Sequence, residues 1–146
     1  MLRAWLARFW RQSTAPATHR SGAWGEELAA RHLRAKGYRI LGRNVRFGPR
    51  RELDLVARDL RTDTLVFVEV KTRKSEDFGR PMAAVNRGKR RAFGRAVVRY
   101  LRQLRQCPAH VRFDVVEVVG QPGDATPIIR HIANAFSLPP EYRLPE

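Results

Sequence analysis

Residues 52–73 read ELDLVARDLRTDTLVFVEVKTR, and the fold turns on how that stretch divides. From about Glu52 to Arg58, Leu53, Leu55 and Ala57 alternate with Glu52, Asp54 and Val56, the period of a strand. Asp59 to Asp63 is turn sequence, and Thr64 to Thr72 is the most apolar strand of the chain. Bulk on both faces marks that strand as central in a sheet covered on both sides. Yet it ends in Glu69-Val70-Lys71, fifteen residues after Asp54. Burying an unpaired charge is costly, so two carboxylates and an amine at the end of a buried strand call for a metal or for chemistry.

Side chains alternate along a strand, which sets Glu69 and Lys71 on one face and Val68 and Val70 on the other. If the two strands pair across the short turn, Asp54 approaches Glu69, and carboxylates that close repel unless a cation lies between them. Few hard oxygen ligands, with water completing the shell, suit Mg²⁺ or Mn²⁺ better than zinc. Such a metal holds a phosphate oxygen and activates water, and Lys71 orients that water or stabilises developing charge. The chemistry expected is phosphodiester hydrolysis. Taken singly, Asp54 reads as a solvent-facing residue on an edge strand, and Glu69 with Lys71 as a same-face salt bridge. The combination favours a site: a short spacing, an apolar strand, a basic chain, and Arg73 and Lys74 directly after the lysine.

Working outward, Ser21 can cap a helix from about Gly22 to Lys36, with Trp24, Leu28 and Leu33 on its apolar face and Gly37 to end it. Strand-like sequence follows from about Arg39 to Phe47, and Gly48-Pro49 turns the chain. Pro81 suits the first turn of a helix reaching about Arg105, with Val85, Phe93, Val97, Tyr100, Leu101 and Leu104 towards the core. Val111 to Val119 is a further strand and Ile128 to Phe136 a weaker one. The order α-β-β-β-α-β predicts an α/β fold, a central mixed sheet flanked by helices.

The domain so defined covers 21–136. Residues 1–20 form a basic amphipathic helix and linker, since Leu2, Trp5, Leu6, Phe9 and Trp10 keep helical spacing among Arg3, Arg8 and Arg11. The arginines interrupt any signal-peptide core, and docking of this helix on the domain is favoured over membrane contact through residues 1–12. Residues 137–146 are an irregular Pro-rich tail.

Charge points to the partner. The chain carries 29 Lys and Arg against 14 Asp and Glu, a net +15, which suggests a polyanion, nucleic acid before anionic membrane. Between Asp77 and Asp114 there is no acid among Arg80, Arg87, Lys89, Arg90, Arg91, Arg95, Arg99, Arg102, Arg105 and Arg112. A solvated helix face normally mixes signs, so this one reads as phosphate-binding. Few exposed aromatics accompany it, which favours duplex or branched DNA over unpaired bases. A single cysteine, Cys107, excludes a disulfide or thiolate zinc site within the chain and fits the cytoplasm. No apolar run is long enough to span a bilayer.

Several segments together resemble a known family: Gly22 to Glu26, Arg51 to Ala57, Leu65 to Arg73, Phe78-Gly79, Ala84-Val85 with Lys89, and Arg112 to Val116. In order from about Gly22 to Val119 they resemble the YraN family of bacterial proteins. That family is similar to the restriction-endonuclease-like superfamily, with its D…(D/E)-x-K pattern, and within it to archaeal Holliday-junction resolvases. The resemblance implies a restriction-endonuclease-like fold and a Mg²⁺- or Mn²⁺-dependent DNA endonuclease with no small-molecule cofactor. By position it implies catalytic roles for Asp54, Glu69 and Lys71, and for Glu26, which matches the first-helix acid of the resolvases. Asp54, Glu69 and Glu26 are then the metal-binding acids, with Glu27 the stand-in for Glu26. On spacing alone Glu26 reads as an ordinary first-turn glutamate favoured by the helix dipole. The resolvase likeness also implies a homodimer.

Arg50-Arg51 stands where similar proteins have glycine, a departure that suits a phosphate backbone. Nucleic-acid contacts are expected from Arg50, Arg51, Arg73, Lys74, Arg87, Lys89, Arg90 and Arg91. The competing expectation is a protein that keeps the fold and charges, binds nucleic acid without turnover and acts with a partner.

Overall fold

In a computed structural model the described residues are 20–48, 52–75 and 87–137, with the backbone alone for 20, 21 and 87–90. The expected N-terminal helix, Arg50 and Arg51, Pro81 and Val85, and the tail beyond Ser137 lie outside the described residues. Arg20–Ala35 forms helix α1 and Tyr38–Arg46 strand β1. Glu52–Asp59 and Thr64–Arg73 form β2 and β3, Arg87–Arg102 forms helix α2, and Val111–Val119 and Ile128–Ile132 form β4 and β5.

The strands lie in the order β1-β2-β3-β4-β5, antiparallel except for β3 with β4. That parallel pair follows from α2, because a parallel neighbour is reached only by a crossover connection. The result is the mixed α/β sheet flanked by helices that the sequence predicts, with the weak strand at Ile128 as a short fifth edge.

Each helix covers one face. Ala29, Ala30 and Leu33 of α1 pack on Leu55, Ala57, Val66, Val68, Val116 and Val118. Phe93, Ala96, Val97, Tyr100 and Leu101 of α2 pack on Leu53, Val56, Leu65, Phe67, Phe113 and Val115. On the α2 side Phe67 stacks on Phe113 at 6.0 Å and Phe113 on Phe136 at 5.7 Å between ring centroids. A buried Phe is worth roughly 1.5–3 kcal/mol against about 0–1 kcal/mol for a surface ion pair. The rings, rather than its arginines, therefore hold α2 down.

The limits of the elements differ from expectation in places. α1 runs from Arg20 to Ala35 rather than from about Gly22 to Lys36, and Gly37, at φ 92°, ends the turn in the left-handed region as predicted. α2 stops at Arg102 rather than near Arg105. There Gln103 and Leu104 donate to the carbonyls of Tyr100 and Leu101, both at 3.1 Å, the tighter spacing of a 3₁₀ turn. β5 ends at Ile132, and Asn134 at φ 53° turns the chain so that Phe136, expected on the strand, enters the α2-side core.

One departure matters for the site. Leu55 and Ala57 lie in the α1-side core, whereas Leu53 lies with Val56 in the α2-side core. Residues two apart on a regular strand share a face. The pleat of β2 therefore slips between Leu53 and Leu55, at Asp54, and the simple alternation expected there does not hold.

Candidate active site

The β2–β3 ladder starts with Asp59 opposite Thr64 and runs to Leu55 opposite Val68. One step further stand Asp54 and Glu69, and there the ladder changes character. Val70 N–H donates to Asp54 Oδ2 at 2.9 Å, so a side-chain carboxylate does the work of a backbone carbonyl. Burial first, and the charge of Glu69 next, push the Asp54 carboxyl well above the ordinary carboxylate range. The charges of Glu26 and Glu52 push the same way, and the Val70 N–H opposes them.

Lys71 Nζ lies 2.9 Å from Glu69 Oε1, with the two side chains 14% and 21% exposed. The shared face expected from strand alternation is thus observed, and the ammonium offsets one of the two carboxylate charges. Glu117, buried on β4, stands level with Lys71 in the parallel register and has Arg130 Nη1 at 3.7 Å. Sequence reasoning passed this acid over.

Glu26 reaches the site from α1. The helix sits close because Gly25 has no side chain: a Cβ there would meet Thr72 Oγ1 at 2.1 Å. Asn44 Nδ2 donates to Glu26 Oε2 at 2.7 Å. Burial raises the Glu26 carboxyl above its ordinary range despite that bond. Glu27, the stand-in, is engaged elsewhere: Arg43 at 2.6 Å, and then Arg31 at 3.0 Å, hold its carboxyl below the ordinary range. Glu52 pairs with Arg46 at 3.7 Å.

Asp54, Glu69 and Lys71 therefore meet at one end of the sheet, with Glu26 to one side of Asp54. Among the described residues no three His, Cys, Asp or Glu side chains stand close enough to hold a metal between them. The donor set is an open one. Two carboxylates that repel each other suit a small hard cation with water in its remaining positions, not a closed protein cage.

Basic groups lie at this end and along α2, which leads from it back towards the start of β4. Arg73 ends β3, followed by the exposed Lys74. Arg91, Arg95, Arg99 and Arg102 are exposed and recur every three or four residues, a stripe along α2 opposite its buried face. No acid interrupts that helix. Arg50 and Arg51 lie outside the described residues, as do the side chains of Arg87, Lys89 and Arg90.

Arg112 does not belong with the phosphate-binding set in which the sequence placed it. Its Nε and Nη2 take both oxygens of Asp114 at 2.8 and 2.9 Å, its Nη1 reaches Asp59 at 3.4 Å, and Nη2 donates to Tyr38 Oη at 2.7 Å. Asp114, fully buried, also meets His131 Nε2 at 2.7 Å and accepts Asn134 N–H at 2.9 Å. Burial alone would raise the Asp114 carboxyl, yet the bonds from His131, Arg112 and Asn134 outweigh it and hold the group below the ordinary range. This network ties β1, β2, β4 and β5 together. Its one signal in the sequence is a carboxylate inside the apolar run Phe113 to Val116.

Comparison with known proteins follows the same stretch of chain. The model of the uncharacterised protein family UPF0102 matches residues 25–118, from the glycine at the helix contact to Val118 on β4. The chain belongs to the UPF0102, or YraN, family. It is 48% identical over 120 residues to a UPF0102 protein of Symbiobacterium thermophilum, covering 82% of this chain and 98% of that protein. It is 46% identical over 117 residues to one of Syntrophomonas wolfei, covering 79% and 96%. A UPF0102 protein of Chlorobaculum tepidum is 45% identical over 119 residues, covering 79% and 90%. The UPF0102 match contains Glu26, Asp54, Glu69 and Lys71, and what these can do rests on their own chemistry. Among the described residues no helix is long and apolar enough to cross a membrane.

Proposed function

We propose that this protein binds DNA, duplex or branched, and hydrolyses its phosphodiester bonds with Mg²⁺ or Mn²⁺. The observation that carries this reading is Asp54, a half-buried carboxylate fastened to the Val70 N–H and pushed up by burial and by Glu69, with Lys71 alongside. Groups perturbed in this way gather where charge has work to do. Asp54 and Glu69 would hold the cation, and Glu26 would face it from α1 across water. When bound, the cation supplies positive charge at the phosphate and acidifies water. Asp54, fixed to the ladder, would hold that cation in place and orient the phosphate only through it. Lys71 donates to an oxygen that gains charge in the transition state or orients the attacking water. Arg73, Lys74 and the α2 stripe take the flanking phosphates, so association weakens steeply with salt. Cutting a four-way junction symmetrically needs two copies, and the resolvase form of this activity is therefore a homodimer.

A second reading has its own support. Lys71 is closed onto Glu69, and no three acids among the described residues approach one point. That suits a protein that binds nucleic acid without turnover, beside a partner that cuts. Labelled linear, flapped and four-way DNA in Mg²⁺ or Mn²⁺ separates the two, with Asp54→Asn, Glu69→Gln and Lys71→Ala in parallel. Cutting by wild type that all three variants lose supports the nuclease. Wild type that binds every substrate and cuts none supports the silent protein, and variants that cut like wild type refute the assignment of these residues.

A further inference from the structure

We infer that Asn44 is a positioning residue of this site, holding the Glu26 carboxylate towards Asp54 from a left-handed kink in β1. The inference rests on the nuclease reading and adds to it a residue that neither spacing nor resemblance selects.

The β1–β2 register pairs Arg43 with Leu55 and Val45 with Leu53, so Asn44 stands directly opposite Asp54. Asn44 has φ 48°, a left-handed conformation that side-chain-bearing residues rarely adopt inside a strand. Across from it, the pleat of β2 slips at Asp54. Two neighbouring strands thus leave regular geometry at the same row of the sheet, and that row ends on β3 at Glu69, one step beyond the last β2–β3 pair. Upstream, β1 has already shifted register between Ile40 and Gly42. A strained backbone persists only where its surroundings over-determine it, and such residues gather at functional sites.

The side chain explains why the kink carries asparagine and not glycine. Apart from glycine, asparagine is among the residues that best tolerate this conformation, and here its amide donates to Glu26 Oε2 at 2.7 Å. An amide is a neutral donor. It fixes the direction of a carboxylate without cancelling its charge, whereas arginine or lysine in its place would compete with a cation. Glu27, one residue on, shows the contrast: two arginines bind it, and its charge is spent on them. On α1, then, one acid is neutralised by ion pairs and its neighbour is aimed by an amide.

The test uses the full chain, with Mn²⁺ alone as the probe for binding and four-way or flapped DNA for cutting. Asn44→Gly keeps the left-handed backbone and removes the amide, whereas Asn44→Ala removes the amide and strains the backbone. A purely structural role lowers the melting temperature of Asn44→Gly and leaves the Mn²⁺ affinity and kcat of the folded protein as in wild type. A positioning role leaves Asn44→Gly melting within a few degrees of wild type while Mn²⁺ affinity by calorimetry, and kcat with little change in KM for DNA, fall about 10- to 100-fold. Glu26→Gln falls by a similar factor, and the double variant falls little further, because both changes remove one arrangement. Asn44→Gly that binds Mn²⁺ and cuts like wild type overturns the inference, as does a double variant whose loss is the full product of the two. If wild type binds Mn²⁺ but cuts no DNA, the nuclease reading fails and the Mn²⁺ affinity of Asn44→Gly still decides the role of Asn44. Wild type that binds no Mn²⁺ overturns both.

Discussion

Gly25→Ala and Gly22→Ala make the same chemical change three residues apart on α1, and opposite outcomes are expected. A Cβ at Gly22 meets nothing within 4 Å, whereas one at Gly25 meets Thr72 Oγ1 at 2.1 Å, with Thr72 Cβ and Cγ2 at 3.2 and 3.3 Å. Ordinary contact between such atoms is near 3.5 Å, so roughly 1.4 Å must open between α1 and β3. Turning Thr72 about χ1 relieves little, because its other heavy atoms are already close and β-branched side chains are stiff there. Overpacking of this kind costs about 1–3 kcal/mol. Replacing glycine by alanine inside a helix returns about 0.8–1.0 kcal/mol. Gly22→Ala should therefore stabilise by up to about 1 kcal/mol, and Gly25→Ala should lie about 1–3 kcal/mol below it. For a chain of this size that separates their melting temperatures by roughly 3–10 °C. Urea and thermal unfolding followed by circular dichroism measure both, and Thr72→Ala added to Gly25→Ala should recover most of the difference. The reasoning fails if Gly25→Ala melts at or above Gly22→Ala, or if removing the Thr72 side chain restores nothing.

Three further outcomes are expected. Asp54 has a raised folded pKa, so the unfolded chain ionises first as pH rises and stability falls from the ordinary carboxylate value up to the raised one. Asp54→Asn, which can still accept the Val70 N–H, should melt higher than wild type at pH 7 in EDTA, with the gain vanishing below about pH 4, while cleavage is lost; a lower Tm at pH 7 contradicts this. Asp114 behaves oppositely, since its lowered folded pKa adds stability above the ordinary value that is lost as pH falls through the folded one. Asp114→Asn should cost about 1.5–3 kcal/mol in urea unfolding at pH 7, because it takes the charge from the buried carboxylate that Arg112 and His131 bind and leaves Asp59 as the remaining anion beside Arg112, and a loss independent of pH would count against the ion network. Replacing Arg95, Arg99 and Arg102 by Gln should flatten the plot of log K against log salt for duplex DNA by about 0.9 per lost phosphate contact. An unchanged slope in fluorescence anisotropy would show that DNA does not run along α2.

The parts of the fold that could be read from sequence are those set by local period. Val111–Val119 is a strand over the residues expected, and Leu33, Phe93, Val97 and Leu101 are buried where helical spacing puts them. The pairing of Glu69 with Lys71 follows from strand alternation alone. What escaped depends on register between distant segments. Nothing local links Arg112 to Asp59 and Tyr38, so an arginine that binds inside the protein looked like one that binds phosphate. The slip at Asp54 is invisible because alternation is a rule for regular strands. Asn44 and Gly25 did leave traces, an asparagine inside a strand and a glycine inside a helix, both disfavoured by propensity. Such breaches of local preference point to positions that a tertiary contact has claimed. Glu26 could be selected only by family resemblance, since its spacing fits a solvent-facing first-turn acid equally well.

The bond from Val70 to Asp54 gives the sheet a built-in reporter. Between Thr64 and Val68 the backbone of β3 pairs with the backbone of β2, but the Val70 amide is guarded by a side chain that a ligand can recruit. If Asp54 turns to a bound cation or phosphate, the Val70 amide loses its acceptor while its neighbours stay paired, and its hydrogen exchange accelerates alone. If instead Asp54 binds with its other oxygen, that amide becomes slower still. The exchange rate of one proton then distinguishes a carboxylate that must leave the ladder to act from one that acts in place.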